Sequence, residues 1–141
     1  MFERYAIFYT PTGALADFGA QWLGWDSANG RAVVQPEITG IDTPTITQTP
    51  RKYGLHGTLK APFKLAEGCD LAQLQDEANT FVTGQPEFEI GALALRHDGG
   101  FVALRPRSQQ VALRNFAGAT VMAFDGFRAA LTDVDIARRR E

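Results

Sequence analysis

The spacing of apolar residues predicts strands and helices in alternation along the chain. "RYAIFYTP" (residues 4–11) is rich in aromatic and apolar residues and ends in proline, which predicts a strand. "GALADFGAQWLGWD" then repeats large apolar residues at helical spacing and predicts an amphipathic helix. Residues 26–50 contain Gly, Pro and Thr with little periodicity, which predicts a long loop with short extended pieces.

The second half of the chain predicts three further helices. Asp70 can cap a helix that runs through Thr83, with apolar residues on one face. Another periodic stretch predicts a helix over residues 110–131. Thr132 and Asp135 then have the spacing of a capping box, which predicts a short helix at the end of the sequence.

Between these helices, "FEIGALALRHDGGFVALRP" predicts a β-hairpin around Asp98-Gly99, a dipeptide that tolerates positive φ. That turn would place Leu95 opposite Val102. The element order therefore predicts an α+β fold, an antiparallel sheet with helices packed on one face.

Composition limits the class of protein. The 141 residues fit one domain, and a net charge of −2 gives no general attraction for nucleic acid. The single cysteine, Cys69, forms no intrachain disulfide and indicates a reducing compartment. No apolar run reaches the roughly 18 residues of a membrane span, and Arg4 interrupts a signal-peptide pattern. We expect a soluble, cytoplasmic protein with no membrane partner.

The segment "KYGLHGTLKAPF" (residues 52–63) concentrates polar side chains within a predicted strand. Because strand side chains alternate between two faces, His56, Thr58 and Lys60 would share one face. Leu55 and Leu59 would point the other way, toward a core. We therefore expect the polar set at a surface or in a groove.

A phosphoryl group between His56 and Thr58 could bind both, since residues two apart on a strand are roughly 6.5–7 Å apart. Imidazole exchanges a proton near neutral pH, and a hydroxyl is an adaptable hydrogen-bond donor. Lys60 would lie about 13 Å from His56 along the strand, so we expect it at the rim of an anion site.

The same residues have simpler interpretations. A histidine with a threonine two residues later arises often by chance, and His56 could equally be a surface residue or a hydrogen-bonded core residue. His97 lies beside the predicted hairpin turn and is interpreted as a turn residue. No spacing of His, Cys or carboxylates resembles a metal cluster, so the sequence predicts no metal and no cofactor. No glycine-rich phosphate-binding motif is present either, because "DGG" lacks a following helix.

"YGLHGTLKAPF" resembles the first signature of the two-histidine (2H) phosphoesterase superfamily. Members of that superfamily carry two His-x-Thr/Ser motifs, each on a strand, which face one another across a groove. The chain is similar in particular to a branch of phosphonate-metabolism proteins encoded near phosphonate-degradation genes. The similarity includes "RYAIFYTP", "WLGWD", "RKYGLHGTLKAPF", "FVALRP" and "LTDVDIARRR", and so extends over nearly the whole chain.

This resemblance implies a bilobal fold of two similar α+β halves. It also implies metal-independent opening or hydrolysis of a cyclic phosphate or related phosphodiester, with one histidine as general base and the other as general acid. Carried over to this sequence, His56 and Thr58 are the catalytic pair. Tyr53, Lys60 and Arg105 are the candidates for substrate binding. The implied partner is a small phosphorylated substrate, the cyclic phosphate of a sugar or nucleotide.

The sequence departs from the resemblance in one respect. It contains no second His-x-Thr or His-x-Ser motif, because His97 is followed by Asp98 and Gly99. We therefore expect residues 1–107 to form a first lobe and residues 108–141 to be a helical segment of a second lobe that is absent or incomplete. Such a chain would be inactive or feeble on its own.

Two alternatives stay open. The first is a non-catalytic module that binds a phosphorylated ligand or an RNA end, although the net charge does not favour RNA. The second is a homodimer formed through an exposed apolar helix strip that includes Phe116, Phe124 and Phe127. Such a dimer could bring two copies of His56 together.

Overall fold

The computed structural model describes residues 4–138 and confirms the predicted α+β class. Along the chain, the elements are β1 (Tyr5–Tyr9), α1 (Gly13–Leu23), β2 (Trp25–Asp26), β3 (Arg31–Ala32), α2 (Thr43–Ile46), α3 (Gln48–Arg51), β4 (Gly57–Phe63), α4 (Leu71–Thr83), β5 (Leu93–Asp98), β6 (Phe101–Pro106), α5 (Val111–Ala123), a 3₁₀ turn (Asp125–Phe127) and α6 (Asp133–Arg138). The described strands form three two-stranded sheets, in which β1 pairs with β4, β2 with β3, and β5 with β6. No helix in the described range is long and apolar enough to cross a membrane.

Contacts along the chain define two units. Residues 7–59 form the first unit, and residues 4–6 with 60–138 form the second. The division falls inside β1 and inside β4, so each of these strands contributes to both units. The sequence predicts a first lobe over residues 1–107 and part of a second lobe over residues 108–141. The two units do not test this division, which stays a prediction.

In the first unit, the half-buried Arg51 connects the loop of residues 33–51 to the end of α1 through hydrogen bonds. The Arg51 guanidinium donates to the carbonyl oxygen of Leu23 at 2.8 Å and to Oε1 of Gln35 at 2.7 Å. Gln35 in turn donates to the Trp22 carbonyl oxygen at 2.7 Å. The loop also contains α2, which Asp42 caps through the Thr45 amide. These hydrogen bonds give a definite course to a segment that the sequence predicts only as a long loop.

In the second unit, the predicted aromatic strip packs inside the unit. Phe124 is 1% exposed and lies 5.4 Å from Phe81 between ring centroids. Phe116 packs against Phe81 at 5.9 Å and against Phe88 at 5.5 Å. Of the predicted strip, Phe124 is buried and Phe116 and Phe127 are half-buried, and the homodimer stays a prediction.

Two helix starts follow the sequence prediction closely. The Asp70 side chain accepts from the Gln73 amide at 2.8 Å, and the Gln73 side chain accepts from the Asp70 amide at 2.9 Å. This reciprocal capping box begins α4, which ends at the predicted Thr83. Thr132 and Asp135 make the corresponding bonds at the start of α6.

The helix predicted over residues 110–131 is shorter in the structure. It ends at Ala123, and the chain continues as a 3₁₀ turn that contains Asp125 and Gly126. Asp and Gly have low helix propensity, so the apolar periodicity extends beyond the residues that sustain a helix.

The hairpin turn lies one residue later than predicted. Asp98 pairs with Phe101, which places the two-residue turn at Gly99-Gly100 and Leu95 opposite Leu104. Both turn glycines have positive φ, +55° and +87°. A type I′ turn needs positive φ at both central positions, and two glycines adopt it at lower cost than Asp-Gly.

Candidate functional site

The turn that precedes β4 presents the first candidate residue, His56, and a glycine makes this turn possible. Gly54 has a φ of +71°, in the left-handed region that favours glycine, and its amide donates to the Arg51 carbonyl oxygen at 3.3 Å. A Cβ at this position would also collide with the side chain of Ser27. Conformation and space therefore both require glycine at residue 54.

In the described part of the chain, one nitrogen of the His56 ring makes a hydrogen bond and the other makes none. Nδ1 lies 2.8 Å from the carbonyl oxygen of Gly54. Because a carbonyl oxygen only accepts, Nδ1 carries the proton, and the neutral ring keeps its lone pair on Nε2. Within residues 4–138, Nε2 makes no hydrogen bond. A half-buried imidazole in this tautomer can accept a proton at Nε2, as a general base must.

Two aromatic side chains fix the plane of the His56 ring. The centroid of Phe8 lies 4.1 Å from that of His56, with 34° between the rings. Tyr53 lies 5.9 Å from His56 and meets Phe8 edge to face at 6.3 Å. Tyr53 is 56% exposed, and its hydroxyl makes no hydrogen bond within the described chain. A ligand at His56 would therefore have an accessible aromatic ring and phenol beside it.

Thr58 is the second residue of β4, and its side chain is exposed. Its hydroxyl has no hydrogen-bond partner among residues 4–138, so it is available to a ligand. His56 lies one residue before the strand and not inside it as predicted, while both residues belong to the first unit. That the two groups bind the same phosphoryl group stays a prediction.

Lys60 is buried, whereas the sequence predicts an exposed residue at the rim of an anion site. Its side chain is 5% exposed, and Nζ donates to the carbonyl oxygen of Val121 at 3.0 Å. Nζ also lies 3.4 Å from Oδ1 of Asp125 and 5.5 Å from the ring centroid of Phe63. Val121 is in the last turn of α5, where carbonyls lack partners in the helix and favour a cation. Strand alternation could not predict this contact, because it depends on a residue distant in sequence.

The remaining sequence candidates lie in the second unit. Arg105 is an exposed residue of β6 opposite Ala94, and its predicted contact with an anion stays a prediction. His97 is an exposed strand residue opposite Val102, since the turn has moved to Gly99-Gly100. This corrects its interpretation as a turn residue.

Sequence reasoning missed Gly54 and Phe8, which orient His56 without carrying chemistry themselves. The glycine in "YGLHGT" was a usable signal, because a glycine shortly before a candidate strand often marks a turn with positive φ. Phe8 lies in a predicted strand, but its contact with the histidine depends on the pairing of β1 with β4. In the part of the chain that the structure describes, no three His, Cys, Asp or Glu side chains are grouped to hold a metal.

These residues define an α+β protein with a His-x-Thr pair at the start of a strand. The chain belongs to the family described as "Protein of unknown function (DUF1045)", whose model matches residues 58–141. The matched range begins at Thr58, so His56 lies just before it.

Two curated relatives are both named ribose 1,5-bisphosphate phosphokinase PhnN. The protein from Janthinobacterium sp. (strain Marseille) is 34% identical over 142 residues, which cover 97% of this chain and 31% of the relative. The protein from Laribacter hongkongensis (strain HLHK9) is 34% identical over 128 residues, with 89% and 31% covered. The chain thus spans about a third of the length of these relatives. No solved structure shows a significant match to the chain.

Proposed function

We propose that this chain supplies one half of the active site of a metal-independent cyclic phosphodiesterase of the two-histidine type. The observation that carries the proposal is the hydrogen bond from His56 Nδ1 to the Gly54 carbonyl oxygen, because it leaves the Nε2 lone pair free for proton transfer. The partner-free Thr58 hydroxyl, two residues later, supports the same function as a donor to a phosphoryl oxygen.

The proposed step is hydrolysis of a strained phosphodiester. His56 Nε2 takes a proton from water while the water oxygen bonds to phosphorus, and the bond from phosphorus to one ester oxygen breaks. The departing alkoxide takes a proton from a second acid. The 141 residues contain no second His-x-Thr motif to supply that acid, so we expect the chain alone to be feeble. One missing acid or base lowers the rate by about 10²–10⁴-fold.

The substrate class that we propose is the cyclic phosphate of a phosphorylated ribose, in phosphonate metabolism. Opening a 1,2-cyclic phosphate of ribose 5-phosphate at the bond to O2 gives ribose 1,5-bisphosphate. That compound is the one in the name of the two curated relatives. A hydrolase that produces it and a kinase that consumes it would perform consecutive steps.

The name of the two relatives describes a phosphokinase. We assign that activity to the part of those proteins that this chain does not cover. A kinase of the P-loop type cradles the phosphates of its nucleotide with a glycine-rich loop before a helix. The only Gly-Gly pair in this sequence, Gly99-Gly100, forms the tight turn between β5 and β6. The chain therefore offers no such cradle in the range that the structure describes.

A second candidate is a module that binds a phosphorylated ligand or an RNA end without turnover. The observation that favours it is the missing second motif, because His97 is followed by Asp98-Gly99 and is paired within a hairpin. Such a module would bind a cyclic phosphate through Thr58 and His56 but release it unchanged.

The test is hydrolysis of ribose and nucleoside cyclic phosphates by the protein in its natural full length. We expect His56→Ala to lower kcat by about 10²–10⁴-fold and Thr58→Val to lower kcat/KM by about tenfold or more. The matched control is His97→Ala, which replaces the other histidine of the chain and should keep wild-type activity. Full activity of His56→Ala would contradict the proposal, and binding without turnover by the wild type would favour the module.

A further inference from the structure

A small basic cavity in the second unit is distinct from the His56 site in its residues. Its charged lining consists of Arg4, Lys64, Arg128 and Asp135, and Phe63 forms part of its wall. The cavity volume is about 30 Å³. That is room for two or three water molecules, or for one small ion or chemical group, and far less than a pocket for a whole nucleotide.

Backbone hydrogen bonds hold two of the basic residues at this cavity. Residues 64–66 lie beside residues 127–129, with Leu65 opposite Arg128 in an antiparallel bridge. The Ala129 amide donates to the Lys64 carbonyl oxygen at 2.8 Å, and the Ala66 amide donates to the Phe127 carbonyl oxygen at 2.9 Å. Lys64 and Arg128 therefore project from backbone whose relative position is fixed.

Carboxylates orient the two arginines without saturating them. Arg4 Nη2 donates to Asp135 Oδ1 at 2.8 Å, and Arg128 Nε donates to Asp125 Oδ1 at 2.9 Å. A guanidinium has five N–H donors, so each arginine keeps further donors for a ligand. Their side chains are 36% and 34% exposed, and both are therefore partly withdrawn from solvent. The Lys64 ammonium makes no hydrogen bond within residues 4–138.

The charges at the cavity favour an anion. Among the described residues its lining has three positive side chains and the Asp135 carboxylate, and Asp125 pairs with one of the three, Arg128, so one net positive charge remains. The pKa of Asp135 lies below its ordinary range, first because Thr132 donates to it and also because Arg4 and Lys64 are nearby. The acidic group is therefore ionised at neutral pH and orients the cations.

We propose that this basic cavity binds the phosphoryl group of a phosphate monoester. A phosphate monoester is an anion at neutral pH, and its tetrahedral oxygens can accept from guanidinium and ammonium donors on several sides. The rest of the ligand and part of the phosphoryl group would lie outside the cavity, since about 30 Å³ admits only some of the phosphoryl oxygens.

The test is titration of the 141-residue chain with inorganic phosphate at low ionic strength, followed by two-dimensional amide NMR. We expect saturable shifts at Ala129 and Ala130, which line the cavity. Lys64→Gln should weaken the apparent Kd at least about tenfold, the value of one charge-assisted hydrogen bond. Lys52→Gln is the matched control, because Lys52 is exposed and should leave Kd unchanged.

A second variant separates the two sites. His56→Ala should leave the phosphate-induced shifts at Ala129 and Ala130 unchanged. Phosphate binding at the cavity is thereby tested separately from the proposed phosphodiesterase activity. The inference would be overturned by no saturable shift at millimolar phosphate, by shifts confined to residues 56–58, or by equal weakening in Lys64→Gln and Lys52→Gln. Arg128→Gln should weaken Kd as Lys64→Gln does, and an unchanged Kd in both variants would also overturn it.

Discussion

Replacing Lys60 by methionine distinguishes a structural lysine from a substrate-binding one. The side chain is 5% exposed, and its ammonium donates to the Val121 carbonyl oxygen at 3.0 Å near the end of α5. If Lys60 fastens β4 to α5, the variant loses stability. If Lys60 instead binds substrate at the rim of a site, as its place in the sequence suggests, the variant loses binding and keeps stability.

The size of the effect follows from the contacts. A hydrogen bond with a charged donor contributes about 1.5–3 kcal/mol. The contact with Asp125 adds little, because that carboxylate is 56% exposed and water screens it. Methionine keeps most of the apolar stem and removes the cost of burying an ammonium, which offsets part of the loss. We expect Lys60→Met to lower the free energy of unfolding by about 1–2 kcal/mol.

The assay is urea denaturation followed by circular dichroism, with the slope m used to confirm that only stability has changed. The matched control is Lys52→Met, an exposed lysine in the same chain, which should stay within about 0.5 kcal/mol of the wild type. Lys60→Ala should cost more, about 2–5 kcal/mol, since it also removes the buried stem. An unchanged midpoint in Lys60→Met together with lost substrate binding would refute the structural role.

Two further predictions concern the turn before β4 and the loss of stability of the second unit at acid pH. Gly54→Ala should destabilise the chain and displace the carbonyl oxygen that accepts from His56 Nδ1–H. We therefore expect ¹⁵N NMR of the imidazole to show a shift toward the Nε2–H tautomer. An unchanged tautomer would contradict the assigned role of Gly54. The pKa of Asp125 is lowered, first by the Arg128 hydrogen bond, so its contribution to stability is present above about pH 4 and lost as pH falls through the lower folded pKa. Asp125→Asn should therefore show a flatter fall in urea midpoint below about pH 4 than the wild type, and parallel curves would argue against this linkage.

Local hydrogen-bond patterns explain which elements could be predicted from the sequence. The capping box of Asp70 and Gln73 involves residues three apart, so the residues that predict the start of this helix all lie within one helical turn. The hairpin is different, because "DGG" allows a two-residue turn at Asp98-Gly99 or at Gly99-Gly100. The second choice has the lower backbone cost, and the preference for Asp-Gly over Gly-Gly gave the wrong register.

The candidate site shows the same limit. The spacing of His56 and Thr58 is a local feature and could be recognised directly. The burial of Lys60 depends on Val121, 61 residues later in the chain, and no period along β4 contains that information. The support of His56 by Phe8 likewise depends on the pairing of two strands that are far apart in sequence.

Hydrogen bonds separate two structural cations of this chain from the residues that we propose bind ligands. Arg51 and Lys60 are both cations, yet each directs its donors to carbonyl and side-chain oxygens of its own unit, and each therefore holds elements together. His56 Nε2 and the Thr58 hydroxyl have no such partners in the described chain, and the Lys64 ammonium has none either. Thr58 and Lys64 are exposed, so water can hydrogen-bond to these groups until a ligand takes its place. Lys52 and Lys64 are both exposed and without hydrogen bonds in the described range, and Lys64 differs in lying beside Arg4 and Arg128 at the cavity.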